Sequence, residues 1–190
     1  MLINNAGIFH SPLEKTKQGL DIRLAVNYYA PYLLTNDLMP LMEKGNNSRI
    51  INLSSAAKVP VSMNALLGKK DLSVQEAYAQ SKLAMTMWSF QLAQNKKNLN
   101  TIAVNPGSLL NTKMVQEAYG QFWSPAEKGS NIIFDLALSE EYKGSSGKYF
   151  DNDKGEEKGL FGPAHPDAYD QTKIDELIST TDLYLKNFSV

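Results

Sequence analysis

The chain opens with the sequence Met-Leu-Ile-Asn-Asn-Ala-Gly at residues 1–7. Leu2 and Ile3 are typical of the end of a buried strand, and Asn4 to Gly7 are typical of the turn that leaves such a strand. In a doubly wound α/β fold this strand belongs in the middle of the sheet, whereas here it begins the chain. The opening stretch therefore predicts an α/β fold of which the first part is absent.

Short apolar runs predict three further strands. They lie at Arg49–Ser54, at Thr101–Asn105 and at Lys148–Phe150. Runs of this length, rich in β-branched residues, suit strands that are buried on both faces. The second of these runs ends at Pro106 and Gly107, which stop a strand.

Apolar residues at helical spacing predict four helices, over residues 18–42, 73–95, 125–138 and from about 167 or 172 to 185. Ser73 and Glu76 form a plausible capping box, and Ser124 a plausible cap for the third helix. Pro31 should kink the first helix and Pro40 should end it. The connecting segments 56–71, 108–123 and 151–166 are expected to be loops or irregular.

Strands and helices alternate along the chain, which favours one domain over residues 1–190 with a parallel sheet covered on both faces. Ligands bind such sheets beyond the carboxyl ends of the strands. The segments Asn4–Gly7, Ser54–Ser55 and Pro106–Gly107 each follow a predicted strand. We therefore expect them to meet at one ligand-binding edge.

Composition excludes several classes of function. A net charge of −1 gives no reason to expect nucleic acid or an anionic membrane surface as a partner. The chain has no cysteine and only two histidines, His10 and His165, so no metal site is predicted. No apolar run is long enough for a membrane span, and no signal segment opens the sequence. We expect a cytoplasmic protein.

Tyr78 and Lys82 lie four residues apart on the clearest predicted helix, so they share one face. A nearby ammonium should favour the phenolate and lower the pKa of the tyrosine, which would make it a general acid/base near neutral pH. Spacing alone is weak support, because Tyr169 and Lys173 repeat it beyond the last strand. We interpret this second pair as a solvated helix face.

The order of these motifs resembles the short-chain dehydrogenase/reductase family. The matching motifs are Asn-Asn-Ala-Gly at 4–7, Asn27, Ile-Asn-Leu-Ser-Ser at 51–55, Tyr78 with Lys82, and Asn-Pro-Gly at 105–107. The resemblance extends through Gly-Lys-Tyr-Phe at 147–150. It implies the carboxyl-terminal portion of that family's fold, a partial Rossmann-like doubly wound parallel sheet. The sugar-nucleotide epimerases also use this Tyr–Lys spacing, but the Asn-Asn-Ala-Gly motif and the small carboxyl-terminal region argue against them.

The resemblance implies a role for each catalytic candidate. Tyr78 would exchange a proton with the substrate oxygen, and Lys82 would lower the pKa of Tyr78 and bind the nicotinamide ribose. Ser55, rather than Ser54, would polarise the carbonyl. Asn27 would hold a water in a proton relay. The implied reaction is hydride transfer between NAD or NADP and an alcohol, aldehyde or ketone.

The resemblance also implies which residues contact the cofactor, namely Asn5, Ala6, Gly7, Tyr78, Lys82, Pro106, Gly107 and Thr112. The family commonly places a threonine five residues after the proline, where this chain has Asn111. Thr112 comes one residue later, so its role is open. Apolar residues at Phe9, 59–67 and 114–123 are expected to line the substrate pocket and suggest an apolar substrate, although they would equally suit ordinary packing.

The sequence departs from the family pattern in two places. Residues 58–71 resemble the longer loop of the retinol-dehydrogenase-like branch. The glycine-rich Thr-Gly-x-x-x-Gly-x-Gly turn that cradles the cofactor diphosphate is missing from the sequence. We therefore expect an amino-terminally truncated enzyme. The alternative is a catalytically silent fragment that acts only as a binding or dimerisation partner. The family resemblance implies homo-oligomers through the helices at 20–42 and 73–95, although the same residues would also suit packing on the sheet.

Overall fold

A computed structural model describes residues 1–155 and 158–187. Its five strands, in chain order, are β1 (Leu2–Asn4), β2 (Arg49–Leu53), β3 (Asn100–Asn105), β4 (Lys148–Asp151) and β5 (Leu160–Gly162). They form one sheet in the order β1-β2-β3-β4-β5. The first four strands are parallel, and β5 pairs antiparallel with β4. The predicted strands are all present, and β1 lies at an edge of this sheet.

The helices, in chain order, are α1 (Ile22–Leu24), α2 (Ala30–Lys44), α3 (Met63–Leu66), α4 (Val74–Asn95), α5 (Lys113–Tyr119), α6 (Ala126–Leu138) and α7 (Gln171–Lys186). A π-helical stretch, Ala25–Tyr29, joins α1 to α2 without a break, and short 3₁₀ helices occur at Glu140–Tyr142 and Pro166–Tyr169. Among the described residues, none of these helices is long and apolar enough to cross a membrane.

Alternate residues of each central strand face opposite sides of the sheet, and helices cover both sides. On one side Ile50, Ala103 and Tyr149 belong to a core shared with α2, α4 and α7. On the other side Ile51, Val104 and Phe150 pack with α6. Strands covered on both faces explain the near-continuous apolar runs of the sequence. The predicted doubly wound parallel sheet is thus confirmed.

Helix α4 is the central helix on the side of the sheet that carries Ile50, Ala103 and Tyr149. It begins at the predicted capping box, in which Ser73 and Glu76 each bond the other's backbone N–H. Every residue from Ala79 to Phe90 is buried, because α7 and the 3₁₀ helix before it pack on the side of α4 that the sheet leaves free. This chain therefore covers much of α4 itself, and pairing of the 73–95 helix with a second copy stays a prediction.

Several local predictions were wrong. Pro40 does not end α2, which continues to Lys44. The carbonyl of Asn36 lacks its usual helical donor because Pro40 has no N–H, but both residues are exposed, so water can donate to that carbonyl instead. Ser124 does not cap α6, because its backbone bridges Leu110 and the cap position falls on Pro125. Helix α5 lies within 108–123, β5 within 151–166 and α3 within 56–71, all expected to be irregular.

Candidate active site

A cavity of about 960 Å³ opens at the carboxyl ends of β1, β2 and β3. The three strand-end segments of the sequence line it, as does the first half of α4. Its lining includes all nine of the predicted residues Asn5, Ala6, Gly7, Ser55, Tyr78, Lys82, Pro106, Gly107 and Thr112. Asn27 is fully buried beside Gly7. The topology therefore brings together residues that lie up to about a hundred positions apart in the chain.

Tyr78 lies in the second turn of α4 and presents its phenol to the cavity. The ring of Phe9 packs edge-on against the Tyr78 ring, with 5.0 Å between the centroids. Burial raises the pKa of Tyr78 above its ordinary value, and the nearby Ser55 hydroxyl offsets part of that rise. The phenol is therefore protonated at neutral pH.

Lys82 follows one helical turn later and is only 4% exposed. Its Nζ donates a 2.7 Å hydrogen bond to the carbonyl of Leu53 and lies 5.7 Å from the centre of the Tyr78 ring. Burial lowers the pKa of Lys82 to about 8. The expected lowering of the Tyr78 pKa by this ammonium is thus wrong for the ligand-free chain, because burial outweighs a charge that is directed at Leu53.

The two serines after β2 have different surroundings. Ser54 is buried, and its Oγ bonds the carbonyl of Lys82 at 3.0 Å and the hydroxyl of Thr86 at 2.6 Å. Both serines contribute to the cavity lining, but the Ser54 hydroxyl is bound to α4, whereas the Ser55 hydroxyl is near enough to Tyr78 to lower the pKa of the phenol. Consecutive residues of an extended chain point to opposite sides, so the two hydroxyls face different surroundings. The geometry favours Ser55 as the serine that faces a ligand.

Asn27 sits in the π-helical stretch and is held by the segment after β1. Its Oδ1 accepts from the N–H of Ile8 at 2.8 Å, and its Nδ2 donates to the Ile8 carbonyl at 2.9 Å and to Ser81 Oγ at 3.0 Å. The Asn27 side chain therefore fixes the backbone that carries Gly7. Pro31 has no N–H, so the carbonyl of Asn27 lacks its regular α-helical donor.

Gly7 allows the turn after β1 to approach the catalytic candidates closely. A Cβ at this position would lie 3.3 Å from Asn27 Oδ1 and 3.4 Å from Lys82 Nζ. Such contacts are tighter than normal packing, so a side chain would push on both polar groups. The glycine of the Asn-Asn-Ala-Gly motif is explained by this lack of space.

The loop that carries Pro106 and Gly107 is fixed by residues after β4 that sequence reasoning missed. Asn152 donates to the carbonyl of Pro106 at 2.8 Å. Asp153 accepts from the backbone N–H of Ser108 at 2.8 Å and from its hydroxyl at 2.5 Å. The only signal in the sequence is the polar run that follows Phe150. Because this run lies beside the end of β3, it holds one wall of the cavity in place.

Thr112 and Asn111 are separated by the structure. Thr112 lines the cavity and caps α5, its hydroxyl accepting from the N–H of Val115 at 3.4 Å. Asn111 is exposed, and its Oδ1 bonds the side chain of Gln116. Of the two candidates, Thr112 is the one with access to a ligand.

A second missed feature is a line of buried amides beneath the site. Asn4 donates to Thr35 at 3.1 Å and to Asn52 at 2.7 Å, and Asn52 donates to Ser89 at 2.8 Å. These bonds join β1, α2, β2 and α4. Asn4 was interpreted as part of the turn, but it is the last residue of β1, and its side chain holds the edge strand in register with β2.

The outer part of the cavity is apolar and aromatic. Phe9, Val59, Met114, Tyr119 and Trp123 line it, all from segments predicted to surround the substrate. The prediction was too broad for residues 60–67, because α3 packs its buried side chains into the core instead. Among the described residues, no group of acidic or histidine side chains is arranged to hold a metal ion.

Comparison with known proteins agrees with this geometry. Residues 1–121 match the short chain dehydrogenase family. Retinol dehydrogenase 12 from Bos taurus is 34% identical over 167 residues, which cover 81% of this chain and 52% of that protein. The chain thus spans about half the length of this relative.

Solved structures share the fold at lower sequence identity. The crystal structure of an uncharacterised protein from Mycobacterium paratuberculosis has a TM-score of 0.75 at 21% identity, covering 97% of this chain and 66% of that chain. The NADPH-bound carbonyl reductase from chicken fatty liver has a TM-score of 0.54 at 23% identity, covering 78% and 61%. With the matched residues 1–121 containing Ser55, Tyr78 and Lys82, the chain belongs to the short chain dehydrogenase family.

Proposed function

We propose that this chain carries the catalytic half of a nicotinamide-dependent oxidoreductase that interconverts an alcohol and an aldehyde or ketone. The observation that carries the proposal is the meeting of Ser55, Tyr78 and Lys82 in one cavity. A substrate oxygen placed between the two hydroxyls would receive hydrogen bonds from both. Such donors stabilise charge that develops on that oxygen during reaction.

The residues present fit one end of NAD or NADP. Lys82 has two ammonium hydrogens left after its bond to Leu53, which suits ribose hydroxyls. Gly7 and Gly107 line the cavity and have no side chain, so a flat ring could approach the backbone there. When bound, the nicotinamide would supply hydride chemistry that no side chain supplies. No glycine-rich Thr-Gly-x-x-x-Gly-x-Gly segment occurs in the sequence, so we assign no residue to the diphosphate.

The protonation states favour reduction at neutral pH. Because burial raises the pKa of Tyr78, its phenol holds the proton that a carbonyl oxygen needs as it becomes an alcohol. Lys82, with a pKa of about 8, is mostly charged at pH 7 and can stabilise the phenolate that remains. Asn27 would support proton return through its backbone carbonyl, since its side chain is occupied by Ile8 and Ser81.

An apolar substrate is proposed from the outer lining. Phe9, Tyr119 and Trp123 provide large rings, and Met114 and Val59 provide flexible and branched apolar surface. Such surfaces bind the hydrocarbon part of a ligand, while Ser55 and Tyr78 fix its oxygen. The name of the bovine relative, retinol dehydrogenase, also points to an apolar alcohol.

The direct test is a fluorescence titration of the purified 190-residue chain with NADH and with NADPH. Saturable binding that is weakened by Lys82→Met supports the proposal, and a carbonyl reductase assay with apolar aldehydes follows. A folded chain that binds neither nucleotide contradicts cofactor binding by these residues alone.

A second candidate is a non-catalytic binding or dimerisation partner. Leu33, Leu34 and Leu41 are 44%, 49% and 66% exposed on one side of α2, next to the edge strand β1. Exposed apolar stripes and open sheet edges are common association surfaces. Sedimentation equilibrium tests this role: wild type should dimerise and a Leu34→Lys, Leu41→Lys variant should not. A monomeric wild type contradicts dimerisation through α2.

A further inference from the structure

Tyr149 is a buried tyrosine whose hydroxyl has a specific partner beside the active-site cavity. It lies in β4, is 2% exposed, and donates a 2.9 Å hydrogen bond to the carbonyl of Ser55. Ser55 lines the cavity, and its hydroxyl is close enough to Tyr78 to lower the pKa of the phenol. Tyr149 itself does not line the cavity.

The sheet explains how Tyr149 reaches a residue two strands away. The register places Tyr149 beside Ala103 of β3, and Ala103 beside Asn52 of β2. Tyr149 and Ala103 belong to the same core on one face of the sheet. Because alanine has a single methyl group, the tyrosine ring can extend across β3 to the end of β2.

Tyr149 holds the segment after β2 at a second point. The ammonium of Lys58 lies over its ring, 5.5 Å from the centroid. Between these contacts the N–H of Ala57 donates to Ser55 Oγ at 3.1 Å. Residues 55–58 leave the regular ladder after Ser54, whose N–H is the last to bond β3. The segment that carries the Ser55 hydroxyl is thus attached to Tyr149 at both ends.

The hydroxyl of Tyr149 remains a donor over the whole range in which an enzyme works. Burial, together with the nearby charges of Asp151 and Asp153, raises the pKa of Tyr149 well above its ordinary value. A carbonyl can only accept, so the Ser55 carbonyl needs a donor that stays protonated. Tyr149 meets that condition.

We propose that Tyr149 is a positioning residue for Ser55, and through it for the interaction between the Ser55 and Tyr78 hydroxyls in the cavity. Its catalytic consequence rests on the function proposed above, whereas its effect on Tyr78 can be measured without turnover. Removal of the Tyr149 hydroxyl frees the Ser55 carbonyl, so the segment shifts and the interaction of Ser55 with Tyr78 weakens.

The first test needs no turnover. The chain is labelled with ¹³C at the tyrosine Cζ, and the Tyr78 resonance is assigned by its loss in Tyr78→Phe. Ser55→Ala should move the Tyr78 resonance, and Tyr149→Phe should move it in the same direction. Tyr29→Phe is the matched control, because that buried hydroxyl also donates to a backbone carbonyl at 2.9 Å, that of Leu66 in α3. It should leave the Tyr78 resonance in place.

Three results would overturn the proposal. One is a wild-type Tyr78 resonance in Tyr149→Phe when Ser55→Ala moves it. Another is no response of the Tyr78 resonance to Ser55→Ala, which would mean that Ser55 and Tyr78 do not interact. The third applies if Tyr149→Phe does not fold. A crystal structure of the wild type then decides, and a Tyr149 hydroxyl that points away from the Ser55 carbonyl overturns the proposal.

The second test is kinetic and separates this proposal from the proposed function. In the carbonyl reductase assay Tyr149→Phe should lower kcat about tenfold, a fraction of the loss from removing a transition-state donor, and leave nucleotide affinity unchanged. Tyr29→Phe should change kcat less than about twofold if only its distant bond is lost. A wild type without turnover counts against the proposed function alone, because the resonance test still decides the role of Tyr149.

Discussion

The chain contains two tyrosine–lysine pairs with the same spacing, and the structure gives them opposite surroundings. Tyr78 and Lys82 lie within the single helix α4, where Lys82 is 4% exposed and bonds the carbonyl of Leu53. Tyr169 and Lys173 are divided by Asp170, which separates a 3₁₀ helix from α7. The first pair shares a face of one helix, and the second does not.

Each side chain of the second pair, Tyr169 and Lys173, has its own hydrogen-bond partner. Tyr169 is 58% exposed, and its hydroxyl accepts the N–H of Ala164 at 3.0 Å. Lys173 pairs with Asp167 at 2.6 Å, and that hydrogen bond raises the pKa of Lys173. Charge in the second pair is therefore neutralised at the surface.

The comparison teaches that spacing marks a candidate and that burial decides its chemistry. Burial moves the pKa of Tyr78 up and the pKa of Lys82 down to about 8. In both groups burial disfavours the charged form that water would stabilise, so each responds strongly to a ligand that supplies or removes charge. The exposed pair lacks this sensitivity.

The largest expected effect is on turnover. Tyr78→Phe removes the proton donor and should lower the rate of carbonyl reduction about 10²–10⁴-fold, the usual contribution of a general acid. Nucleotide affinity should persist, because Lys82 and Gly7 are unchanged. Tyr169→Phe, with the same chemical change in the exposed pair, should keep wild-type turnover. Comparable losses in the two variants would contradict the distinction.

The next effect concerns stability and pH. The pKa of Lys82 falls from 10.5 to about 8 on folding, so between these values the unfolded chain binds one more proton than the folded chain. The stability of the wild type relative to Lys82→Met should therefore rise by about 2–3 kcal/mol between pH 7 and pH 10. Urea unfolding of both proteins across this range measures the difference.

Lys173→Met provides the contrast for this measurement. The pKa of Lys173 is raised by Asp167, so its contribution to stability is fully present below the unfolded pKa and is lost only above it. The difference between wild type and Lys173→Met should stay flat from pH 7 to pH 10. A flat profile for Lys82→Met as well would mean that Lys82 keeps an ordinary pKa in the folded chain.

The fold was largely predictable because buried parallel strands have short apolar runs and the helices that cover them are rich in apolar residues at helical spacing. The misses have physical reasons. None of the residues of α5 is buried, so no apolar period marks it. Strand β5 has three residues, lies at an edge and ends in glycine. The burial of α4 by α7 depends on contacts between distant segments, and neither helix reveals it alone.

The residues that form the site could be predicted from the sequence, whereas the direction of the pKa shift of Tyr78 could not. Strand ends meet at one edge of a parallel sheet, so Gly7, Ser55 and Pro106 could be grouped from the sequence. The sequence could not show that the ammonium of Lys82 points to the Leu53 carbonyl, and this direction makes burial dominate the pKa of Tyr78. The supporting residues Tyr149 and Asp153 act through individual hydrogen bonds to distant parts of the chain, and such bonds leave no periodic pattern.

A smaller effect should follow from adding a methyl group at Gly7, beside Lys82 of the buried tyrosine–lysine pair. In Gly7→Ala the new Cβ would lie 3.3 Å from Asn27 Oδ1 and 3.4 Å from Lys82 Nζ. The crowding should destabilise the chain by about 1 kcal/mol and weaken NADH or NADPH binding. Gly162→Ala is the control, because its nearest neighbour is the flexible side chain of Lys154. Equal effects of the two variants on nucleotide binding would contradict a special role for the space at Gly7.

The smallest effect is expected in the exposed pair itself. Tyr169→Phe keeps the ring that packs against Phe90 at 5.3 Å and loses only the acceptor of the Ala164 N–H. A single hydrogen bond of this kind contributes about 1 kcal/mol to stability, and water can replace part of it because Tyr169 is exposed. Urea unfolding should therefore show a slightly lower midpoint, and nucleotide titration should show no change. A change in nucleotide affinity would mean that α7, which packs on α4 behind the site, transmits strain to Lys82, and burial alone would then not separate the two pairs.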